Sequence, residues 1–198
     1  LKIVEGLDLD FEAELAIILD AVPQGVSACE ADKYIKVLTA CNDFTYRKLA
    51  CLDKASGFGF VQSKPLTSFF GQGISPEENV AVWNSGRPLA ELEIRLNGTL
   101  FCRVTTRDML FGFPELVAHC ARTRALPCGT IITSGSISML DKQPCSETCL
   151  AERVNRGASD SRFLVRGDEI GMEFFKVDGG RKPKASLFGQ LLNRVDTL

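Results

Sequence analysis

Residues 10–19 constrain the fold more than any other stretch of the chain, because their character alternates at every second position. Phe11, Ala13, Leu15, Ile17 and Leu19 form one set; Asp10, Glu12, Glu14, Ala16 and Ile18 form the other. A strand puts positions i, i+2 and i+4 on one face, whereas a helix spreads such a pattern around its circumference. The segment therefore reads as a strand with one apolar face. Its second face begins acidic and becomes apolar at Ala16 and Ile18, so the carboxylates need not look onto open water.

The rest of the chain reads as short strands with turn chemistry, interrupted by two helices. Ser27-x-x-Glu30 has the form of a capping box and predicts a helix whose apolar side is Tyr34, Val37, Leu38 and Cys41. Asn97-Gly98 predicts a type I′ hairpin joining residues 91–96 to 100–104. Pro114 suits the first turn of a second helix, with Leu116, Val117 and Cys120 inward and Arg122 and Arg124 near its end. A Gly/Ser/Thr-rich strand at 130–138, a polar loop, a strand at 169–177, a turn at Asp178-Gly179-Gly180 and a last strand at 185–195 complete the reading. There is no internal repeat or low-complexity tract. The expectation is a mainly β, α+β fold, and parallel α/β winding is not supported.

Composition narrows the function. With 45% hydrophobic residues, 198 residues can bury a full core. Lys+Arg number 23 against 25 Asp+Glu, a net charge of -2, and no basic stripe exists to neutralise phosphates, so no nucleic-acid partner is expected. The longest aliphatic run, from Leu15 to Leu19, is too short to cross a bilayer, and no membrane association is expected. The eight cysteines lack paired C-x2-C knuckles. They read as reduced thiols of a cytoplasmic protein, mostly small buried hydrophobes. The chain opens on Leu1 rather than Met and shows no charged-then-apolar leader, which reads as a processed chain or a piece of something longer.

Five constellations could carry chemistry. Glu12-x-Glu14 puts two carboxylates on one strand face, where they repel unless a hard cation lies between them; exposed acidic alternation is the commoner explanation. Asp43, following Asn42, is either a turn residue just past a helix or a third ligand. In Gly57-Phe58-Gly59-Phe60-Val61-Gln62-Ser63-Lys64-Pro65, glycines allow close backbone approach and Lys64 could neutralise a substrate carboxylate; the alternative is an ordinary loop with a solvated lysine. Ser134, Ser136 and Ser138 could bond a ligand oxygen, and Glu152 could act as a general base or simply pair with Arg153 or Arg156. His119, the sole histidine, sits on a helix beside core residues and reads as structural.

Taken in order, these pieces resemble a known family. Glu12-Ala13-Glu14, Asn42-Asp43, Gln62-Ser63-Lys64-Pro65, Phe111-Gly112-Phe113-Pro114 through Arg124, Gly129-Thr130-Ile131-Ile132, Ser134-Gly135-Ser136-Ile137-Ser138, Cys149-Leu150-Ala151-Glu152-Arg153 and Gly167-Asp168-Glu169 are similar to the catalytic domain of the fumarylacetoacetate hydrolase family. The similarity runs from about residue 10 to residue 195, and the whole of 1–198 is taken as one such domain. The resemblance implies layered mixed β-sheets forming a β-roll with a few packed helices, usually in a homodimer.

The resemblance also implies a site and a reaction. Metal carboxylates match Glu12, Glu14 and Asp43, for Mg2+ or alternatively Mn2+ or Ca2+. Lys64, Gln62 and Ser136 match substrate contacts, with Lys64, Ser136 and Glu152 in catalytic roles. The implied substrate is a small 2-oxo or 1,3-dicarbonyl acid, and the implied reaction is C–C bond hydrolysis of the kind used in aromatic catabolism. Decarboxylation, hydration or isomerisation of 2-oxoacids on the same metal platform is the alternative, as is a non-catalytic, metal-binding dimeric relative. Two departures stand out. Family members commonly draw a His, often with a Glu, from a region before the metal strand, and no His stands before Glu12 here, which reads as either a missing upstream segment or a lost activity. Phe69-Phe70-Gly71-Gln72-Gly73 replaces the more usual proline-bearing stretch after the lysine.

Overall fold

In a computed structural model, which describes residues 2–140, 146–158, 161–177 and 185–197, the predicted first strand is the organising element. Strands β1 (Lys2–Ile3) and β2 (Leu9–Asp10) lead into β3 (Ala13–Leu19). After a short helix α1 (Ala28–Ala31) comes the longest strand, β4 (Ile35–Tyr46), then helix α2 (Arg47–Ser56), β5 (Leu66–Phe69) and helix α3 (Val80–Trp83). The second half contains β6 (Ala90–Leu96), β7 (Thr99–Thr105), α4 (Phe113–Cys120), β8 (Ile131–Thr133), α5 (Leu150–Asn155), β9 (Glu169–Lys176), β10 (Ser186–Arg194) and β11 (Asp196–Thr197).

Two antiparallel sheets result. One has the order β2-β4-β3-β8 with β5 also on β4; the other has the order β10-β9-β6-β7, and a short parallel pair joins β1 to β11. The centre of the first sheet is buried on both faces, since nearly every residue of β3 and most of β4 are buried, whereas β5 and β8 are partly exposed. Aromatic rings join the layers. Phe70 meets Phe174 of β9 and Phe188 of β10 edge-on, with centroids 5.6 and 6.0 Å apart, and Phe11 meets Phe101 of β7 at 5.2 Å. Phe11, Phe174 and Phe188 are fully buried, each stabilising the fold by roughly 1.5–3 kcal/mol through area removed from water. Among the described residues no helix is long and apolar enough to cross a membrane.

The Asn97-Gly98 hairpin forms as the sequence predicts, with φ of 53° and 76° at the two turn residues, the paired positive values of a type I′ turn. The strands predicted at 169–177 and 185–195 are β9 and β10, and the Pro114 helix is α4. The turn predicted at 178–180 lies outside the described residues.

Other expectations need correction. The helix expected from Ser27 through Cys41 ends after one α-turn and a tight turn at Asp32–Tyr34, and the chain becomes β4. Ser27 Oγ bonds the Glu30 carboxylate at 2.6 Å rather than capping a backbone N–H. The β-branched Ile35, Val37 and Thr39, paired along β3, outweigh the local helix signal. The strand expected over 130–138 is reduced to the three residues of β8, after which the chain follows β3 through bonds from Ser134 N to Leu15 O and Ile137 N to Ala13 O. Cys120 is exposed rather than inward; Ala121 takes the buried place at the end of α4. Of the seven described cysteines, all unpaired with one another, only Cys41, Cys102 and Cys149 are buried, so the thiols are not mostly core residues.

Candidate metal centre

Sheet register assembles the acidic site. In the β3–β4 pair Ala13 faces Asn42 and Glu14 faces Cys41, and the same register continues past the strand end, where Asp43 N donates to Glu12 O at 2.9 Å. With a side-chain period of two, Glu12, Glu14 and Asp43 must share one face. Oxygens from the three carboxylates lie within 4.8 Å of one another. Glu12 and Glu14 are buried, at 8% and 3% exposure, which rules out a row of solvated acids. Asp43 sits inside β4 and is not a turn residue.

The same face supplies the hydroxyl partners. Thr67, opposite Asp43 on β5, donates to Asp43 Oδ1 at 2.7 Å. Thr133, opposite Ala16 on β8, hydrogen-bonds Glu14. Asn42 serves from its own buried position: its Oδ1 accepts from Glu12 N at 3.1 Å, and its Nδ2 donates to Asn193 Oδ1, also at 3.1 Å.

Two cations reach the cluster from the segment after β4. Lys64 Nζ lies 2.6 Å from Glu12 Oε2, 2.7 Å from Asp43 Oδ2 and 2.8 Å from Thr45 Oγ1. It is neither a solvated loop lysine nor free for another anion in this arrangement. Asp53 Oδ2 fixes its approach by accepting the backbone N–H of Gln62 and Ser63 at 3.2 and 3.0 Å. Arg47, which the sequence reading passed over, opens α2 and places NH1 2.6 Å from Glu12 Oε1. Its Nε donates to Asp10 Oδ2 at 2.8 Å; NH2 is 2.7 Å from the same oxygen but off the hydrogen-bond line.

These charges set the protonation of the site. Burial raises the Glu12 pKa, but Lys64 and Arg47 outweigh it and hold Glu12 below its ordinary value. Burial likewise opposes the charge on Lys64, and Asp43 and Glu12 more than restore it. Glu14 goes the other way. Burial, with the charges of Asp43 and Glu12, pushes it up to about 7 despite the Thr133 bond. A carboxylate held near neutral protonation beside two others marks a place short of positive charge.

The remaining expected residues are not members of the carboxylate cluster. Gln62 is exposed on the loop before Lys64. Ser136 is exposed beside a cavity of about 180 Å³ walled by Leu15, Met109, Phe111, Leu116 and Ser134. Glu152 lies in the first turn of α5, with Oε2 accepting from Thr148 N at 2.7 Å. It does not make the surface ion pair considered above: Arg153 stacks on the Phe101 ring and Arg156 pairs with Glu147. Neither Ser136 nor Glu152 is one of the three clustered carboxylates. His119 lies on the exposed end of α4 with Arg122 and Arg124.

With this geometry in place, comparison with known proteins is decisive for the family. A family model described as the C-terminal part of fumarylacetoacetate (FAA) hydrolase matches residues 3–196. The chain belongs to the fumarylacetoacetate hydrolase family. Among its family relatives, the oxaloacetate tautomerase YisK of Bacillus subtilis is 27% identical over 82% of this chain and 47% of its own length. The 4-hydroxyphenylacetate degradation bifunctional isomerase/decarboxylase of Escherichia coli is 25% identical over 94% of this chain and 35% of its own. The chain spans about half the length, or less, of such relatives. The fumarylacetoacetate hydrolase of Exiguobacterium antarcticum superposes with a TM-score of 0.68 at 22% identity, covering 96% of this chain and 57% of that one. The yeast family protein ynq8 superposes with a TM-score of 0.72 at 16% identity, covering 100% and 72%. Those two likenesses establish the fumarylacetoacetate hydrolase fold, the rolled antiparallel layers described above.

The acidic cluster fits a metal ion on its own chemistry. All three donors are hard carboxylate oxygens, the set that Mg2+, Mn2+ and Ca2+ prefer. The Lys64 ammonium already bridges two of them, which shows that the pocket between them accepts positive charge.

Proposed function

We propose that the chain is the catalytic domain of a divalent-metal enzyme acting on short 2-oxo or 1,3-dicarbonyl acids, with C–C hydrolysis of an acylpyruvate- or fumarylacetoacetate-type acid as the leading reaction. The observation that carries this reading is the convergence of Glu12, Glu14 and Asp43 on one buried sheet face beside Lys64. Glu12, Glu14 and Asp43 would hold Mg2+ or Mn2+. When bound, such an ion supplies Lewis-acid stabilisation to a chelating keto-enol substrate.

The chain's own residues account for binding and proton movement. Lys64, released from Glu12 and Asp43 when a cation takes its place, holds substrate oxygens together with Gln62 and Ser136. Glu152 takes a proton from water, whose oxygen adds to the acyl carbonyl carbon. The C–C bond then breaks, its electron pair leaves as an enolate, and the enolate takes the proton that Glu152 removed from water, which returns Glu152 to its carboxylate form. The Thr148 N–H fixes one Glu152 oxygen and so the direction of the carboxylate. The reading includes a homodimer, as the family resemblance implies, and a cytoplasmic compartment, as the cysteine pattern suggests.

A second reading is supported by relatives named for oxaloacetate tautomerisation and for an isomerase/decarboxylase. It is tautomerisation, decarboxylation or hydration of a 2-oxoacid on the same carboxylate platform. Loss of turnover, leaving a metal-binding dimer, is the third. A panel of acylpyruvates, fumarylacetoacetate and oxaloacetate, assayed with Mg2+ or Mn2+ on the full-length protein, separates them. Cleavage of acylpyruvate supports the first; action on oxaloacetate alone supports the second. No metal-dependent turnover by any member would overturn both enzyme readings.

A further inference from the structure

We infer that Asp10 is a positioning residue that ties the helix carrying Glu152 to the carboxylate cluster. The inference rests on the metal-site reading above. Asp10 is wholly buried and both its oxygens are saturated with donors. Oδ1 accepts from Phe11 N and Leu150 N, each at 2.8 Å; Oδ2 accepts from Ala151 N at 2.9 Å and Arg47 Nε at 2.8 Å. A buried carboxylate is tolerated only with such partners, and removing it strands every donor that faced it.

The donors belong to separate parts of the fold. Leu150 and Ala151 are the first residues of α5, 140 and 141 positions away in sequence. That helix is six residues long, and its N-cap, Cys149, provides no side-chain cap. Its first N–H groups therefore depend on an acceptor from elsewhere in the fold, and Asp10 is that acceptor. On the other side, Arg47 spans Asp10 and Glu12. Charge then alternates without a break from Asp10 through Arg47, Glu12 and Lys64 to Asp43. A cation drawn between Glu12 and Asp43 competes with Lys64 at one end of this series. Asp10 carries the resulting adjustment of Glu12 and Arg47 to Leu150 and Ala151, the two residues before Glu152 in the first turn of α5.

Hydrogen exchange with and without Mn2+, on the full-length protein, tests this coupling independently of turnover. In the wild type, Mn2+ slows exchange of the Leu150 and Ala151 amides by at least about fivefold, the smallest ratio usual for coupled sites. Asp10→Asn loses that slowing and weakens Mn2+ binding by about 10- to 100-fold, as removal of outer-shell support does. Arg47→Gln, which spares the contacts between Asp10 and α5, keeps basal protection at both amides but loses its dependence on Mn2+. Wild-type affinity and exchange in Asp10→Asn would overturn the inference. So would protection lost equally at Met172 and Leu191 in β9 and β10, which would make Asp10 a general fold residue. A wild type whose two amides ignore bound Mn2+ would overturn it as well. A wild type that binds no Mn2+ would sink the metal reading instead, and protected Leu150 and Ala151 amides in Asp10→Asn would then sink the Asp10 anchor by itself.

Discussion

Lys64 Nζ rests 2.6 Å from Glu12 Oε2, although 52 positions separate the two residues in sequence. The ammonium and a divalent ion compete for the same carboxylate oxygens. Lys64→Met should therefore bind Mn2+ several-fold more tightly than the wild type while losing turnover of any acidic substrate. Calorimetric titration measures the first effect, and weaker binding by the variant would contradict the shared-oxygen account.

Glu14 has the opposite standing, because among the described residues no ion pair holds it in the way Lys64 holds Glu12 and Asp43. Glu14→Gln removes one of the three donors from the cluster. Its Mn2+ affinity should fall by at least about 100-fold, the upper end of what loss of an outer partner alone causes. Equal affinity would remove Glu14 from the ligand set.

Glu152→Gln separates proton transfer from metal binding. An amide oxygen can still accept from Thr148 N, so the first turn of α5 keeps its support. Turnover should drop by about 10²- to 10⁴-fold, the usual contribution of a positioned base, with Mn2+ affinity unchanged. Full activity in the variant would assign the base elsewhere.

The second sheet offers a pH test of stability. Asp168 is nearly inaccessible and has a pKa of about 2, below its usual 3.8. Burial pushes that value up, but Arg162 and Asn97, with the Val165 N–H, overcome it. A depressed carboxylate pKa contributes stability above about pH 3.8, and that contribution is lost as pH falls through about 2. Arg162 is half-exposed, so solvent screens part of the effect. Asp168→Asn should cost about 1–2 kcal/mol at pH 7. Urea unfolding should show the gap between variant and wild type closing from pH 4 toward pH 2; a gap independent of pH would assign the loss to packing.

How much of this was legible in the chain depended on how local the cause was. Asn97 and Gly98 announce their hairpin because the turn itself demands positive φ, and Glu12 with Glu14 share a face through simple alternation. β4 was misread because its residues are buried on both faces. Tyr34, Val37, Leu38 and Cys41 then fall at helical spacing by coincidence, behind a Ser27–Glu30 pair that does open one helical turn. With that strand missed, periodicity alone favours a turn at Asp43 over a third ligand, and the family resemblance tips it back into the set. Arg47 left no trace in any window, and Asp10 showed only as one polar residue of the alternating strand, since the role of each is defined by partners far along the chain. Lys64 was visible as a loop cation, but its carboxylate partners follow only from the folded sheet.

The alignment of β3 with β4 also decides which changes of chain length this site can survive. The connection between them, from 20 to 34, lies away from the carboxylates and can lengthen or shorten without disturbing them. One residue gained or lost between Ala40 and Asp43 turns Asp43 to the opposite side of the sheet and leaves Glu12 and Glu14 without their third oxygen donor. Length polymorphism among close relatives should therefore gather in the connection and be absent from those four positions, a pattern that sheet geometry imposes before any selection for chemistry.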